Sequence, residues 1–189
     1  MNRKSTVIFL TATALLMGCL CANVAGMVAI RSAGAYLIRG LASEPGRVNA
    51  IRSGIADYDL PAGFGQARAA RVMGFSVVAY TGTDDHSHIY LFQVPSSLPL
   101  DWARLEREIG PISGNDEYTR TRVVERRACR IAGADSTLVI TESINRRDQP
   151  YLAASALFRG RGGPAIVSIS MPRANWDQAA VDRFVASVR

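Results

Sequence analysis

Four runs decide the architecture: Thr119–Ile131 (TRTRVVERRACRI), Ser136–Ile144 (STLVITESI), Tyr151–Phe158 (YLAASALF) and Pro164–Ser170 (PAIVSIS). Each is rich in β-branched or apolar residues, and each stops at residues suited to turns. The turns are Ala132-Gly133-Ala134-Asp135, Asn145–Gln149 and Arg159-Gly160-Arg161-Gly162-Gly163. Strands that follow one another through short turns predict an antiparallel meander. Downstream, Asn175 reads as a helix cap with Gln178 three residues on. Val181, Phe184, Val185 and Val188 then form one apolar stripe of a closing helix.

Upstream, Arg71–Tyr80 (RVMGFSVVAY) and His88–Val94 (HIYLFQV) flank the turn residues Thr81-Gly82-Thr83-Asp84-Asp85 and predict a hairpin. Asp101 reads as the cap of a helix carrying Trp102, Leu105 and Ile109. Leu100 and Leu105 make a staple, and Gly110-Pro111 is the stop. Pro45 suits the first turn of a short helix, because its missing N–H is not needed there. Val48, Ile51 and Ile55 share a face of that helix. The stripe His88, Tyr90, Phe92 reads, by its period of two, as core or half-buried sheet surface in preference to a binding face.

The N-terminus differs in kind. After Arg3 and Lys4 no charge occurs until Arg31, so 6–30 is an uncharged apolar stretch, longer than the core of a secretory signal. A membrane anchor is favoured over a cleaved signal. It is also favoured over a lipoprotein signal at Leu16-Met17-Gly18-Cys19, because the residues after Cys19 stay apolar. The predicted organisation is a basic terminus 1–5, a transmembrane anchor 6–30, a stub 31–44 and a folded domain 45–189. The expected fold class is α+β: an antiparallel sheet (hairpin plus four-strand meander) packed against helices and preceded by one N-terminal transmembrane helix. Arg3 and Lys4 favour a cytoplasmic N-terminus, hence a single-pass protein with its domain on the extracytoplasmic side.

The whole chain has 189 residues, a formal charge of +6, three Cys and two His. Lys4 is the sole lysine, and beyond it the excess falls to +4, a balance that argues against nucleic acid as the partner. Disorder and a disulfide scaffold are excluded by composition.

The order of elements resembles the PsbP-like fold. The residues that carry the likeness are Asp59-Leu60-Pro61-Ala62-Gly63-Phe64 as an LPxGF-type opening (DYxLPxGF from Asp57), the strand end Arg130-Ile131-Ala132-Gly133, and the close Phe184-Val185-Ala186-Ser187-Val188. The chain is also similar to bacterial membrane-anchored proteins of uncharacterised role that share the opening. The resemblance covers Tyr58 to Arg189 and implies a binding or assembly subunit rather than an enzyme. Its motifs are structural and transfer no functional residue.

Two constellations could carry chemistry. Asp84, His86 and His88 offer a His-x-His with a nearby carboxylate, a partial ligand set for zinc or copper. Against it stands a plain polar turn, in which Asp and Ser bond the backbone. The meander groups its arginines at two ends: Arg120, Arg122, Arg146 and Arg147 at one, Arg130, Arg159 and Arg161 at the other. Such forks suit phosphate or carboxylate, while a solvated surface is their plainer role. No Gly-x-Ser-x-Gly occurs, and Gly160–Gly163 lacks the Lys-Ser/Thr end of a phosphate loop. Cys129 reads as a small buried hydrophobe. The favoured reading is a non-enzymatic membrane-tethered module, with no cofactor, that binds an envelope protein or anionic ligand. The alternative is a metal-binding protein or metalloenzyme using His86 and His88.

Overall fold

In the computed structural model, residues 42–97, 118–145 and 147–189 are described. They belong to the unit Leu37–Arg189. The helix expected around Trp102, Leu105 and Ile109 lies outside the described residues, as do the stretch 6–30 and Arg146. Among the described residues no helix is long and apolar enough to cross a membrane.

The meander forms as four long strands, β4 (Tyr118–Ile131), β5 (Ala134–Asn145), β6 (Pro150–Gly160) and β7 (Gly163–Pro172). Ahead of them come β1 (Phe64–Val72), β2 (Phe75–Gly82) and β3 (His88–Gln93). All seven make one antiparallel sheet in the order β1-β2-β3-β7-β6-β5-β4. The pairing of β3 with β7, Leu91 opposite Val167, fuses hairpin and meander into a continuous sheet. Among the described residues two short helices accompany it, α1 (Pro45–Ser53) and α2 (Gln178–Ser187).

The α+β expectation is therefore corrected: the fold is dominated by its sheet. One cause is β1, whose run Gly65-Gln66-Ala67-Arg68-Ala69-Ala70-Arg71 has weak intrinsic strand preference. Pairing with β2 makes it a strand. The expected single strand 71–80 is cut by a two-residue turn at Met73 (φ 52°) and Gly74 (φ 84°), the left-handed pair that matches the twist of a hairpin. Ala132 (φ 49°) and Gly133 (φ 76°) repeat that turn between β4 and β5. The closing helix is capped by Asp177 and not by Asn175. The Asp177 carboxylate accepts from the Ala180 N–H at 3.0 Å, and Asn175 ends a 3-10 turn, Arg173–Asn175.

Both helices contribute to one hydrophobic cluster with one face of the sheet. Val48 and Ile51 of α1 and Val181, Phe184 and Val185 of α2 join Val78, Leu91, Ile140, Val167 and Ile169 there. Residues of the other face, among them Val77, Phe92, Val139, Leu157 and Ile166, are buried as well. Polar groups within the sheet find partners: Ser155 Oγ donates to Ser168 Oγ at 2.9 Å.

Between helices and sheet lies Tyr58. Its hydroxyl hydrogen-bonds Tyr80 Oη at 2.8 Å, its ring meets Tyr80 and Phe184 edge-on, and the Arg52 guanidinium sits 4.5 Å from the ring centre. Burial first, then the neighbouring Tyr80, pushes the Tyr58 phenol far above its ordinary value, so it stays neutral.

The β6–β7 turn shows how tightly this frame is drawn. A Cβ on Gly163 (φ 146°) would stand 2.4 Å from the Val94 carbonyl oxygen, whereas one on Gly46 in α1 would meet nothing. Gly163→Ala should cost about 2–3 kcal/mol in thermal or denaturant unfolding. Gly46→Ala should stabilise by up to about 1 kcal/mol. Equal effects would contradict this packing.

Candidate functional site

Three segments separated in sequence wall a cleft of about 730 Å3 at one end of the sheet. The opening stretch Asp59–Phe64 forms one wall. The β2–β3 turn, with Gly82, Thr83, Asp84 and Ser87, forms the second. Asn175, Asp177, Ala180, Arg183 and Ser187 of the C-terminal region form the third, and Ile169, Met171 and Phe184 line its apolar interior. This volume and lining suit a small ligand or a few side chains of a protein.

Each wall is fixed by specific bonds. Pro61 and Gly63 turn the opening stretch, and Gly63 takes a φ of 87° that favours glycine. The Gly63 carbonyl then accepts from the Thr83 N–H at 2.7 Å, which ties the first wall to the second. Asp59 N–H donates to Ser187 Oγ at 3.0 Å, and Asp57 and Arg189 exchange two backbone bonds, tying the first to the third.

Asp84 organises the second wall. Its Oδ1 accepts from the His86 and Ser87 N–H groups at 3.0 and 2.8 Å. Its Oδ2 accepts from Ser87 Oγ at 2.7 Å and from Asn175 Nδ2 at 2.8 Å. Partial burial alone would raise its pKa. The bonds from Ser87, His86 and Asn175 outweigh that and hold it at about 2. Among the described residues, three carboxylates, Asp59, Asp84 and Asp177, and one arginine, Arg183, line the cleft, an acidic lining in a chain of net positive charge. Arg189 stands 3.4 Å from Asp59, and Arg183 reaches Asp177 at 4.0 Å.

The proposed metal set is not assembled as the spacing suggested. His86 sits in the turn before β3, where Asp85 has φ 55°, and only His88 is on the strand. The strand alternation that would set two histidines on one face thus covers His88 alone, and both Asp84 oxygens are engaged, by the turn and by Asn175. Among the described residues no group of three metal-ligating side chains comes together. His88 stacks obliquely on Tyr90, ring centres 6.0 Å apart.

The arginines divide between the two ends of the sheet. Arg122, at the end shared with the β5–β6 turn, donates from Nε to Glu142 Oε2 at 2.9 Å, and Arg173 pairs with the other oxygen. The Arg122 bond is the main reason that the Glu142 carboxyl lies below its ordinary value. Arg120 (φ 55°) lies where β4 bulges against β5. Arg147 donates its backbone N–H to Asn145 Oδ1 within the turn. At the opposite end, Arg161 clamps the end of α1 through the Ser53 carbonyl at 2.7 Å and the Asp57 carboxylate. Arg159 lines a smaller hollow of about 230 Å3 with Asp135 and Ser136. Arg122 and Arg161 are thus structural struts. Cys129 is half-buried on β4.

In the sequence the Leu60–Phe64 stretch stands out only as an opening. Asn175, Asp177 and Arg183 do not show there as neighbours of Asp84. The one local signal was Asp84 followed by Ser87, the pattern of a side chain capping its own turn. No protein-family model and no curated protein sequence matches this chain.

The low Asp84 pKa fixes a sign. A carboxyl depressed by folding contributes stability above its ordinary value of 3.8, and loses it as pH falls toward about 2. Asp84→Asn should cost about 2 kcal/mol near neutral pH. It should also flatten the decline in melting temperature between pH 4 and pH 2. An unchanged acid limb would show that Asp84 is not the group that matters.

Proposed function

We propose that this chain is a non-catalytic binding module of the cell envelope, which engages its partner through the cleft between the Leu60–Phe64 stretch, the β2–β3 turn and α2. The observation that carries this reading is the use of the cleft's polar groups. Asp84 is saturated by four donors, Asp177 caps α2, and Ser187 binds the Asp59 backbone. Groups so engaged keep walls in place, and they leave an apolar interior under an acidic rim to do the binding. Such a cavity favours an occupant with an apolar body and a positive or hydrogen-donating edge. The likeness of the opening and close to the PsbP-like fold weighs the same way, as does the apolar stretch 6–30, which supports attachment to a bilayer with the sheet on the extracytoplasmic side.

Photo-crosslinking from within the membrane-bound full chain tests this. A photoreactive residue replacing the exposed Ala62 should give a discrete adduct. Ala180→Trp, which fills the cleft from α2, should abolish it. The same probe replacing Asp148, in the β5–β6 turn, should give none. An identical adduct from both positions, or one insensitive to Ala180→Trp, would overturn the reading.

A further inference from the structure

At the end of β2 remote from the cleft, the β1–β2 turn exposes Met73 to 91% and Val72 to 51%. We propose that this tip, Val72-Met73-Gly74, inserts into the surface of the bilayer and turns the cleft away from it. The proposal rests on the membrane attachment inferred above for 6–30.

Methionine is a poor choice for the turn itself. The first central position of this turn needs a positive φ, which Asn, Asp or Gly meets with less strain than Met. The turn nevertheless holds Met73 out, braced from behind by Pro95, whose ring a Cβ on Gly74 would strike at 2.9 Å. Met73 and Val72 together, held outward at a strained position, offer an apolar tip to a surface.

Charge points to the kind of surface. Residues 64–82, the whole hairpin, contain Arg68 and Arg71 and no acidic residue. Arg71 is fixed beside the tip by donating from Nε to Ser76 Oγ at 3.0 Å. Apolar residues at a tip with arginines behind them match acyl chains below and anionic headgroups above.

Chain length allows the contact. Ala42 bridges Ala69 on β1 through two backbone bonds of 2.9 Å, so the chain joins the sheet four residues from Met73. Eleven residues separate Ile30 from Ala42 and span at most about 40 Å. The step along the strand from Ala69 to Met73 is about 13 Å. One methionine and one valine would not hold a protein on a bilayer alone. Added to a membrane-attached stretch, they fix orientation. The cleft lies at the Gly82–Ser87 end of β2, so it would open toward the aqueous side.

The test uses the full chain with Cys19, Cys21 and Cys129 changed to Ala. Met73→Cys is labelled with the fluorophore NBD and reconstituted in phosphatidylcholine vesicles with and without phosphatidylglycerol. The expected result is a blue-shifted emission, quenched by spin-labelled lipid and strengthened by phosphatidylglycerol. The same label on Ala174→Cys, at the cleft end, should read water. With the label on Val72→Cys, adding Met73→Asn should hold or raise the melting temperature, because Asn suits the turn, and should return the emission toward that of water. If the chain resists alkaline extraction but the label at 73 reads water, the tip contact is overturned and the attachment stands. If alkali releases the chain, the attachment fails and the proposal with it.

Discussion

The hydroxyl pair of Tyr58 and Tyr80 joins the segments on which the rest of the structure depends. Tyr58 belongs to no helix or strand, yet it is buried between α1, β2 and α2. Two phenols in an apolar place satisfy each other, and either one left alone would carry an unmet polar group. The pairing therefore specifies where the stretch 55–64 runs. With Tyr58 anchored, Asp57 exchanges backbone bonds with Arg189, Asp59 meets Ser187, and the Gly63 carbonyl meets Thr83. These contacts close the walls of the cleft. An irregular segment gains its shape from one aromatic anchor and a ladder of backbone bonds on either side.

The sheet then separates two kinds of surface. At one end, the turn after β2, the start of α2 and the opening stretch enclose a hollow with an acidic rim and an apolar interior. At the other, the tight turns at 73–74, 132–133 and 161–162 are braced by glycines and by Arg161 on Asp57. The Arg161 hydrogen bond is the first cause of the depressed Asp57 carboxyl. Arginine richness, which suggested an anionic ligand, is spent in part on such struts: Arg122 and Arg173 share Glu142, and Arg127 pairs with Asp182 across β4 and α2. Exposed pairs of this kind contribute little energy each, but they set where side chains point.

The meander was legible because its signal is local. Its strands are long, and each is bounded by glycine or by Asn145, whose side chain accepts from the backbone of Arg147 and Gln149. Pro45 and the Val48–Ile51–Ile55 spacing likewise announced α1. β1 was not legible, because between Phe64 and Val72 the run Gly65–Arg71 holds no strand-forming residue, and Met73 looked like a continuation of a strand rather than a turn. The β3–β7 pairing joins residues 76 positions apart, Leu91 and Val167, and nothing in either run specifies the other. The cap shifted from Asn175 to Asp177 because the helix starts only at Gln178, after a 3-10 turn that holds Asn175, and Asn175 instead donates to Asp84, a contact across 91 positions. The cleft was hidden for the same reason. Its walls are adjacent only after the sheet closes, whereas the Asp84–His88 turn, conspicuous in sequence, turned out to be one of those walls.

Amide hydrogen exchange tests the central claim most directly. The full chain would be compared in isolated membranes of the cells that produce it and after purification in detergent. If the cleft is where the partner sits, the amides of Leu60–Phe64 and Thr83–Ser87 exchange more slowly in the membrane than after purification, while those of β6 are unchanged. Equal exchange of the cleft walls in both states, with protection appearing elsewhere on the sheet, would contradict it.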